Sequence, residues 1–184
     1  EEGLDSTAVI MSWRGYNGGA QAAIKGHDAV MSPASNCYFD MYQSRYTEGR
    51  IAIGGFLPLD QVYSFEPVPD VLSIDQAKHI IGAQGNVWTE YITDEQRLQE
   101  MIFPRMAALA EVLWSPREKR DYVNFTSRLI SHFKLLSFMK VRYSTSLYDI
   151  FSKVSPNGNN GIFIELFSGY PRGKIHFTLN GISP

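Results

Sequence analysis

Cysteine is almost missing from this 184-residue chain: Cys37 stands alone, so no disulfide can form within it, and the redox compartment stays open. Histidine is scarce too. His27, His79, His132 and His176 lie far apart, with neither H-E-x-x-H nor C-x-x-C spacing, which argues against a metal site. Positive charge is not in excess: the net charge is -2, and no basic tract or basic amphipathic stripe occurs, which sets nucleic acid and anionic membranes aside as partners. No apolar run is long enough to cross a bilayer and no signal peptide is recognisable, so membrane insertion is not expected. Residues 1–6 do not read as a natural beginning, nor residues 180–184 as a finished end.

What is present suits a packed fold. Hydrophobic residues make up 44% and charged residues 20%, and the length admits one domain or one domain plus part of another. Aromatic residues reach 13%, a first pointer toward a flat, ring-shaped ligand, although most such rings sit in cores.

Along the chain, residues 8–11 form an apolar run that reads as a buried strand ending in Ser12-Trp13-Arg14-Gly15, and residues 18–25 read as a short helix closed by Gly26. A second strand is expected at 29–31, stopped by Pro33 and followed by the polar, aromatic stretch 36–43. Residues 59–65 suggest one or two helical turns in a loop rich in Pro and Gly. A third strand at 79–83 leads into Gln84-Gly85-Asn86-Val87-Trp88. Thr93 with Gln96 fits a capping box, and Leu98, Met101, Ile102, Met106, Leu109 and Leu113 keep helical spacing through Pro104, where a kink is expected. Ser115, Pro116 and Glu118 announce a further helix, with Tyr122, Phe125, Leu129, Phe133 and Leu136 as its core face.

The character changes near residue 140. A turn cluster at 156–161 is flanked by strand-like residues 162–167 and 174–179, the start of a separate β-rich module. The earlier order of strand, helix, strand, loop, strand, helix argues for an α/β fold with parallel strands and helical crossovers. Three such strands cannot close a barrel, so further strands are expected from elsewhere. Asn124-Phe125-Thr126 is a glycosylation sequon inside a predicted helix and is read as incidental.

Each strand ends in a loop that bears an aromatic residue, and two loops repeat one pattern: Tyr38-Phe39-Asp40 and Trp88-Thr89-Glu90 are both aromatic-x-acid. In extended backbone, residues two apart point the same way, so each pair can present a ring and a carboxylate to one pocket at the strand ends. A pyranose fits such a pair. Its apolar C–H face packs on a ring, and its hydroxyls donate to a carboxylate in charge-assisted hydrogen bonds. Taken singly, Trp13 and Trp88 read as core, and Asp40 and Glu90 as solvated or helix-capping; the repeat of the pattern after two strands favours a site. On the residues alone, Asp40 and Glu90 also fit the catalytic acid and base of a glycosidase.

At these residues the chain resembles glycoside hydrolase family 20, the β-N-acetylhexosaminidases. The matching segments are Val9-Ile10-Met11-Ser12-Trp13-Arg14-Gly15, Val30-Met31-Ser32-Pro33, Tyr38-Phe39-Asp40 with Gln43, Pro58-Leu59 with Val62-Tyr63, residues 80–91, and Phe103-Pro104-Arg105-Met106 through Ala110-Glu111-Val112 to Trp114-Ser115. They follow the family's order over residues 1 to about 116, and Gly82-Ala83-Gln84-Gly85-Asn86-Val87-Trp88-Thr89-Glu90 is the most specific of them.

The resemblance implies that the three strands are the last three of a (β/α)8 TIM barrel over residues 1–140, with residues 141–184 a linker and the truncated beginning of a small β-sandwich. It implies a retaining, exo-acting enzyme that removes terminal β-linked N-acetylglucosamine or N-acetylgalactosamine by substrate assistance, with no metal or organic cofactor. Tyr38 would then place the acetamido oxygen, Trp13 and Trp88 would line the acetamido pocket and floor the ring, and Asp40 and Glu90 would hold the 4- and 6-hydroxyls. The acid Glu, the Asp that orients the acetamido group, an arginine for the 3- and 4-hydroxyls and a further tryptophan would lie upstream of Glu1. Asp94-Glu95 opens a helix and is a poor substitute for the catalytic pair. Arg14 reads as half of a structural ion pair.

The expected partners are N-acetylhexosamine-terminated glycans; no pattern here speaks to an oligomeric state. A periplasmic, extracellular or lysosome-like location follows only from the polymeric substrates that the resemblance implies. Two other readings stay open on the sequence: a non-catalytic carbohydrate-binding protein, and a structural segment that needs a partner chain.

Overall fold

Asp5 accepts hydrogen bonds from the Thr7 backbone and hydroxyl, and its carbonyl accepts from Ala8 N, so a turn occupies the start of the first apolar run. The strand therefore forms later than the apolar pattern alone suggests, as β1 (Ile10–Ser12). Ser12 closes it and also opens the helix that follows. Its Oγ accepts from Gly19 N at 2.8 Å and donates to the Gly15 carbonyl at 2.7 Å, which holds the first turn of α1 (Asn17–Ile24) against the strand end. Gly19 is required there, because a Cβ would stand 2.3 Å from Met31 Sδ. Gly26, at φ +80°, turns the chain into β2 (Ala29–Met31), which matches the expected span.

In the computed structural model, residues 3–47, 49–158 and 160–183 are described. Of the sequence expectations, Glu1 at the beginning, Asn159 in the turn cluster and Pro184 at the end lie outside them.

Between β2 and the third strand lie three short helices, α2 (Ala34–Cys37), α3 (Leu59–Tyr63) and α4 (Ile74–Ala77), where the sequence suggested only the second. A capping box starts α4: Gln76 N donates to Ser73 Oγ and Ser73 N to Gln76 Oε1. Next comes β3 (Ile80–Ala83). The strands form a parallel sheet in the order β1-β2-β3, with Met11 opposite Val30 and Val30 opposite Gly82. Parallel neighbours need crossovers, and the helices supply them.

The expected kinked helix is two helices. Pro104 has no N–H to donate and forces Phe103 into extended backbone, which ends α5 (Glu95–Ile102) and lets α6 (Arg105–Trp114) start afresh. The cap of α5 is Asp94, whose carboxylate accepts from Arg97 N at 2.8 Å; Thr93, the expected cap, donates its hydroxyl to Asp94 instead. A carboxylate at this end is favoured over a hydroxyl by the helix dipole. Likewise Ser115 and Pro116 lead only into a 3-10 turn at Arg117–Lys119, and Asp121 caps α7 (Tyr122–Phe138) through Val123 N and Asn124 N. The face expected of α7 is the observed one: Phe125, Leu129, Phe133 and Leu136 are buried, with Tyr122 packed at the margin.

One core joins Met31, α3, α6 and α7. Leu147 belongs to it, and Tyr143 stacks on Phe133 with 4.4 Å between ring centroids, so the chain after residue 140 packs on α7 before the last hairpin begins. That hairpin pairs β4 (Ile150–Pro156) with β5 (Ile162–Ser168), antiparallel from Ile150↔Ser168 to Pro156↔Ile162. The first of these strands was not foreseen, since Ser152, Lys153 and Ser155 dilute its apolar pattern. Residues 174–179, expected as a strand, form none. Among the described residues, one face of the three-stranded sheet packs on the helices and the other is left exposed. On the other, Met11 and Ile81 are 41% and 55% exposed.

Candidate functional site

Backbone pairing runs on beyond the strand ends and fixes the loops there. Ala34 N donates to the Trp13 carbonyl at 2.9 Å, Asn86 N to the Cys37 carbonyl at 2.7 Å, and Phe39 N to the Asn86 carbonyl at 2.7 Å. Tyr38 thus sits opposite Asn86 in a parallel bridge. The extended period expected of Tyr38-Phe39-Asp40 is not what aligns it, because Met41 N donates to the Tyr38 carbonyl at 3.3 Å and puts residues 39 and 40 in a turn; Tyr38, Asp40, Trp88 and Glu90 nevertheless border one space. Polar side chains lock the two loops together: Asn86 Nδ2 donates to Ser32 Oγ, Ser32 Oγ to the Gln84 carbonyl at 2.8 Å, and Gln84 Nε2 to Asn86 Oδ1 at 2.7 Å. Gly85 has to be glycine for a packing reason. A Cβ there would lie 2.8 Å from the Phe39 ring and 3.2 Å from Leu109.

All five residues singled out in the sequence line one open concavity of about 660 Å3: Trp13, Tyr38, Asp40, Trp88 and Glu90. Met11, Met41 and Ile53 complete its apolar wall. The volume suits a small molecule of one or two rings. Neither tryptophan is core, since Trp13 is 44% and Trp88 51% exposed. Arg14 lies over the Trp13 ring, 4.8 Å from its centroid, and pairs with no carboxylate among the described residues, so the expected ion pair is replaced by a cation–π contact.

Asp40 is the unusual member. It is 5% exposed, and its Oδ1 has no hydrogen-bond partner among the described residues. Burial pushes its carboxyl above the ordinary carboxylate range and the Glu90 carboxylate adds to the rise, while its own backbone N–H and Arg105 pull it back. Asp40 lines the concavity although Oδ1 itself is shut off from solvent, and a buried acceptor without a partner is uncommon, which marks this carboxyl out beside the ligand-sized space. Tyr38, half-buried, makes no side-chain hydrogen bond among the described residues, which leaves its hydroxyl free to donate into the same space. No group of three or more His, Cys, Asp or Glu side chains among the described residues is arranged to hold a metal ion. No helix among them is long and apolar enough to cross a membrane.

Residues 2–117, well over half of the chain, match the model of the glycosyl hydrolase family 20 catalytic domain. The chain belongs to glycosyl hydrolase family 20. Among its curated relatives, a β-hexosaminidase of Porphyromonas gingivalis is 40% identical over 179 residues, which cover 97% of this chain and 22% of that protein. A β-N-acetylhexosaminidase of Cellulomonas fimi is 36% identical over 111 residues, covering 60% of this chain and 22% of that protein. The chain thus spans about a fifth of the length of these relatives. In three dimensions it is similar to the family 20 exo-β-N-acetylglucosaminidase of Vibrio harveyi solved in complex with N-acetylglucosamine, with TM-score 0.68 and 32% identity over 77% of this chain and 22% of that one. The family 20 β-N-acetylhexosaminidase of Streptomyces coelicolor gives TM-score 0.66 and 27% identity over 76% of this chain and 29% of that one.

One residue of this family 20 chain that sequence reasoning passed over stands next to the site. Arg105 lies in a segment that carried the resemblance, but nothing local to it signals a role. Its backbone-carbonyl partners belong to residues 39, 41, 57 and 101, and only the fold brings them together.

Proposed function

We propose that this chain is the sugar-binding part of an exo-acting, retaining β-N-acetylhexosaminidase that removes terminal N-acetylglucosamine or N-acetylgalactosamine from glycans. The observation that carries the reading is the buried Asp40 carboxyl, unpaired at Oδ1, lining a concavity shared with the half-exposed rings of Trp13 and Trp88. The rings stack on the apolar face of the sugar and its acetamido group. Asp40 and Glu90 accept hydrogen bonds from the 4- and 6-hydroxyls, which selects a terminal residue. Tyr38 donates to the acetamido oxygen as it attacks the anomeric carbon, and stabilises the charge that develops on the resulting oxazoline. The glutamic acid that protonates the leaving oxygen, and the aspartate that orients the acetamido group, are assigned to strands upstream of this segment. Asp94, engaged as the cap of α5, is not suited to either task.

The three parallel strands are read as the last three of an eight-stranded barrel. Helices on one face only, and the exposed apolar side chains of Met11 and Ile81 on the other, fit a barrel wall whose inner layer is completed by further strands. By the same reading β4 and β5 begin a β-sandwich, and the polymeric substrates place the enzyme outside the cytoplasm.

Hydrolysis of a chromogenic β-N-acetylglucosaminide by the 184-residue chain, beside a form extended upstream, tests this. Activity in the extended form alone agrees with it. Turnover by the short chain makes Asp40 or Glu90 catalytic and overturns the assignment of roles.

A further inference from the structure

Arg105 is fully buried and is the largest such side chain among the described residues. Its Nη2 donates to the carbonyls of Phe39 at 2.5 Å and Met101 at 2.6 Å, and its Nη1 to those of Leu57 at 3.0 Å and Met41 at 3.1 Å. The Phe39 ring centroid lies 5.1 Å from the guanidinium carbon. Three separate stretches of backbone therefore converge on one cation, and two of the four carbonyls flank Asp40 in sequence. No carboxylate among the described residues forms an ion pair with it.

Such a charge is a poor stabiliser for its own sake. Burial lowers the Arg105 pKa to about 9, and apolar side chains of similar volume often serve a core as well or better. What they lack is a planar fork of donors with fixed geometry. The backbone held by that fork, residues 39–41, is what presents the Asp40 carboxylate to the concavity, and that carboxylate's charge acts back on Arg105, favouring the guanidinium.

We propose that Arg105 is a positioning residue for Asp40: by gathering the carbonyls of Phe39 and Met41 it sets where the Asp40 carboxylate meets a sugar hydroxyl, and so how strongly that hydroxyl is selected. The proposal rests on the reading of the concavity as a sugar site. It makes Arg105 a determinant of specificity that never touches the sugar.

The test uses the full-length protein and compares kcat/KM for a chromogenic β-N-acetylglucosaminide with its 4-deoxy and 6-deoxy analogues. Loss of a hydroxyl bonded to a carboxylate lowers kcat/KM by about tenfold to hundredfold. Asp40→Asn shows which analogue reports on Asp40, because that penalty collapses. Arg105→Lys keeps the charge and removes the fork, and is expected to abolish most of the same penalty, to leave the penalty governed by Glu90 in place, and to add little to Asp40→Asn for the reporting hydroxyl. A uniform loss on all three substrates, as a merely structural role gives, overturns the proposal, and so does an unchanged pattern of penalties. Should Arg105→Lys fail to fold, Arg105→Gln keeps two amide donors without the charge and must lower the same penalty selectively; a uniform effect there overturns the proposal equally. If Asp40→Asn alters neither penalty, the sugar-site reading of Asp40 fails, and the proposal falls with it.

Discussion

Asn86 donates its side-chain amide to Ser32 Oγ at 2.5 Å, joining the loop after β3 to the loop after β2. Both residues are buried, and the backbone of Asn86 is bridged to Tyr38. This pair sets the two aromatic-x-acid segments in register. Replacing Asn86 by alanine leaves a buried hydroxyl and the Gln84 amide short of partners, at a cost of about 1–3 kcal/mol. Urea unfolding of Asn86→Ala is expected to show a lower midpoint, with weaker sugar binding in the protein that remains folded. An unchanged midpoint contradicts the register role.

Trp88 behaves differently, because its ring stands half in solvent. Trp88→Ala is expected to weaken N-acetylglucosamine binding by on the order of tenfold, the worth of one good aromatic contact, while stability moves by about 0.5 kcal/mol or less. Calorimetric titration beside thermal unfolding separates the two effects. Retained affinity removes Trp88 from the sugar site.

The Asp40 carboxyl gives opposite pH trends for folding and binding. Its folded value lies above its unfolded one, so the folded chain keeps the proton longer. The resulting stability is fully present below the ordinary carboxylate range and is lost as pH rises through the raised value. Asp40→Asn is therefore expected to stabilise the protein at neutral pH, with the gain vanishing in acid. Sugar affinity runs the other way, since the ionised carboxylate is the stronger acceptor, and falls as pH drops through the same value. Unfolding and binding measured over one pH series check both signs. Parallel trends contradict the assignment.

Tyr38→Phe removes one hydroxyl and leaves the ring. A donor that acts on charge developing in the transition state is worth on the order of a hundredfold in kcat, with little change in KM. A change confined to KM makes Tyr38 a binding residue only.

The parts of this chain that were legible in the sequence are those governed by period. The core face of α7 follows from the spacing of Phe125, Leu129, Phe133 and Leu136, and β2 from a short apolar run bounded by Gly26 and Pro33. The convergence of Tyr38, Asp40, Trp88 and Glu90 was legible from their place after parallel strands, but not for the reason of an extended period, since residues 39 and 40 lie in a turn. Competition between neighbours was harder to read. Asp94 took the cap from Thr93, and Pro104 split a helix whose apolar spacing runs straight through it. The four residues of α2 are too few to show any period. Arg105 was legible only as one letter of a matching segment, because three of its four carbonyl partners, at residues 39, 41 and 57, are distant and their side-chain identity is irrelevant to the bond.

The most direct measurement is steady-state hydrolysis of a chromogenic β-N-acetylglucosaminide by the full-length protein carrying Asp40→Asn or Glu90→Gln. If these carboxylates hold sugar hydroxyls, KM rises and turnover remains measurable in both variants. Turnover lost to background, with sugar affinity retained in a calorimetric titration, would instead make them the acid and base that cut the bond, and would contradict a sugar-binding role for this wall.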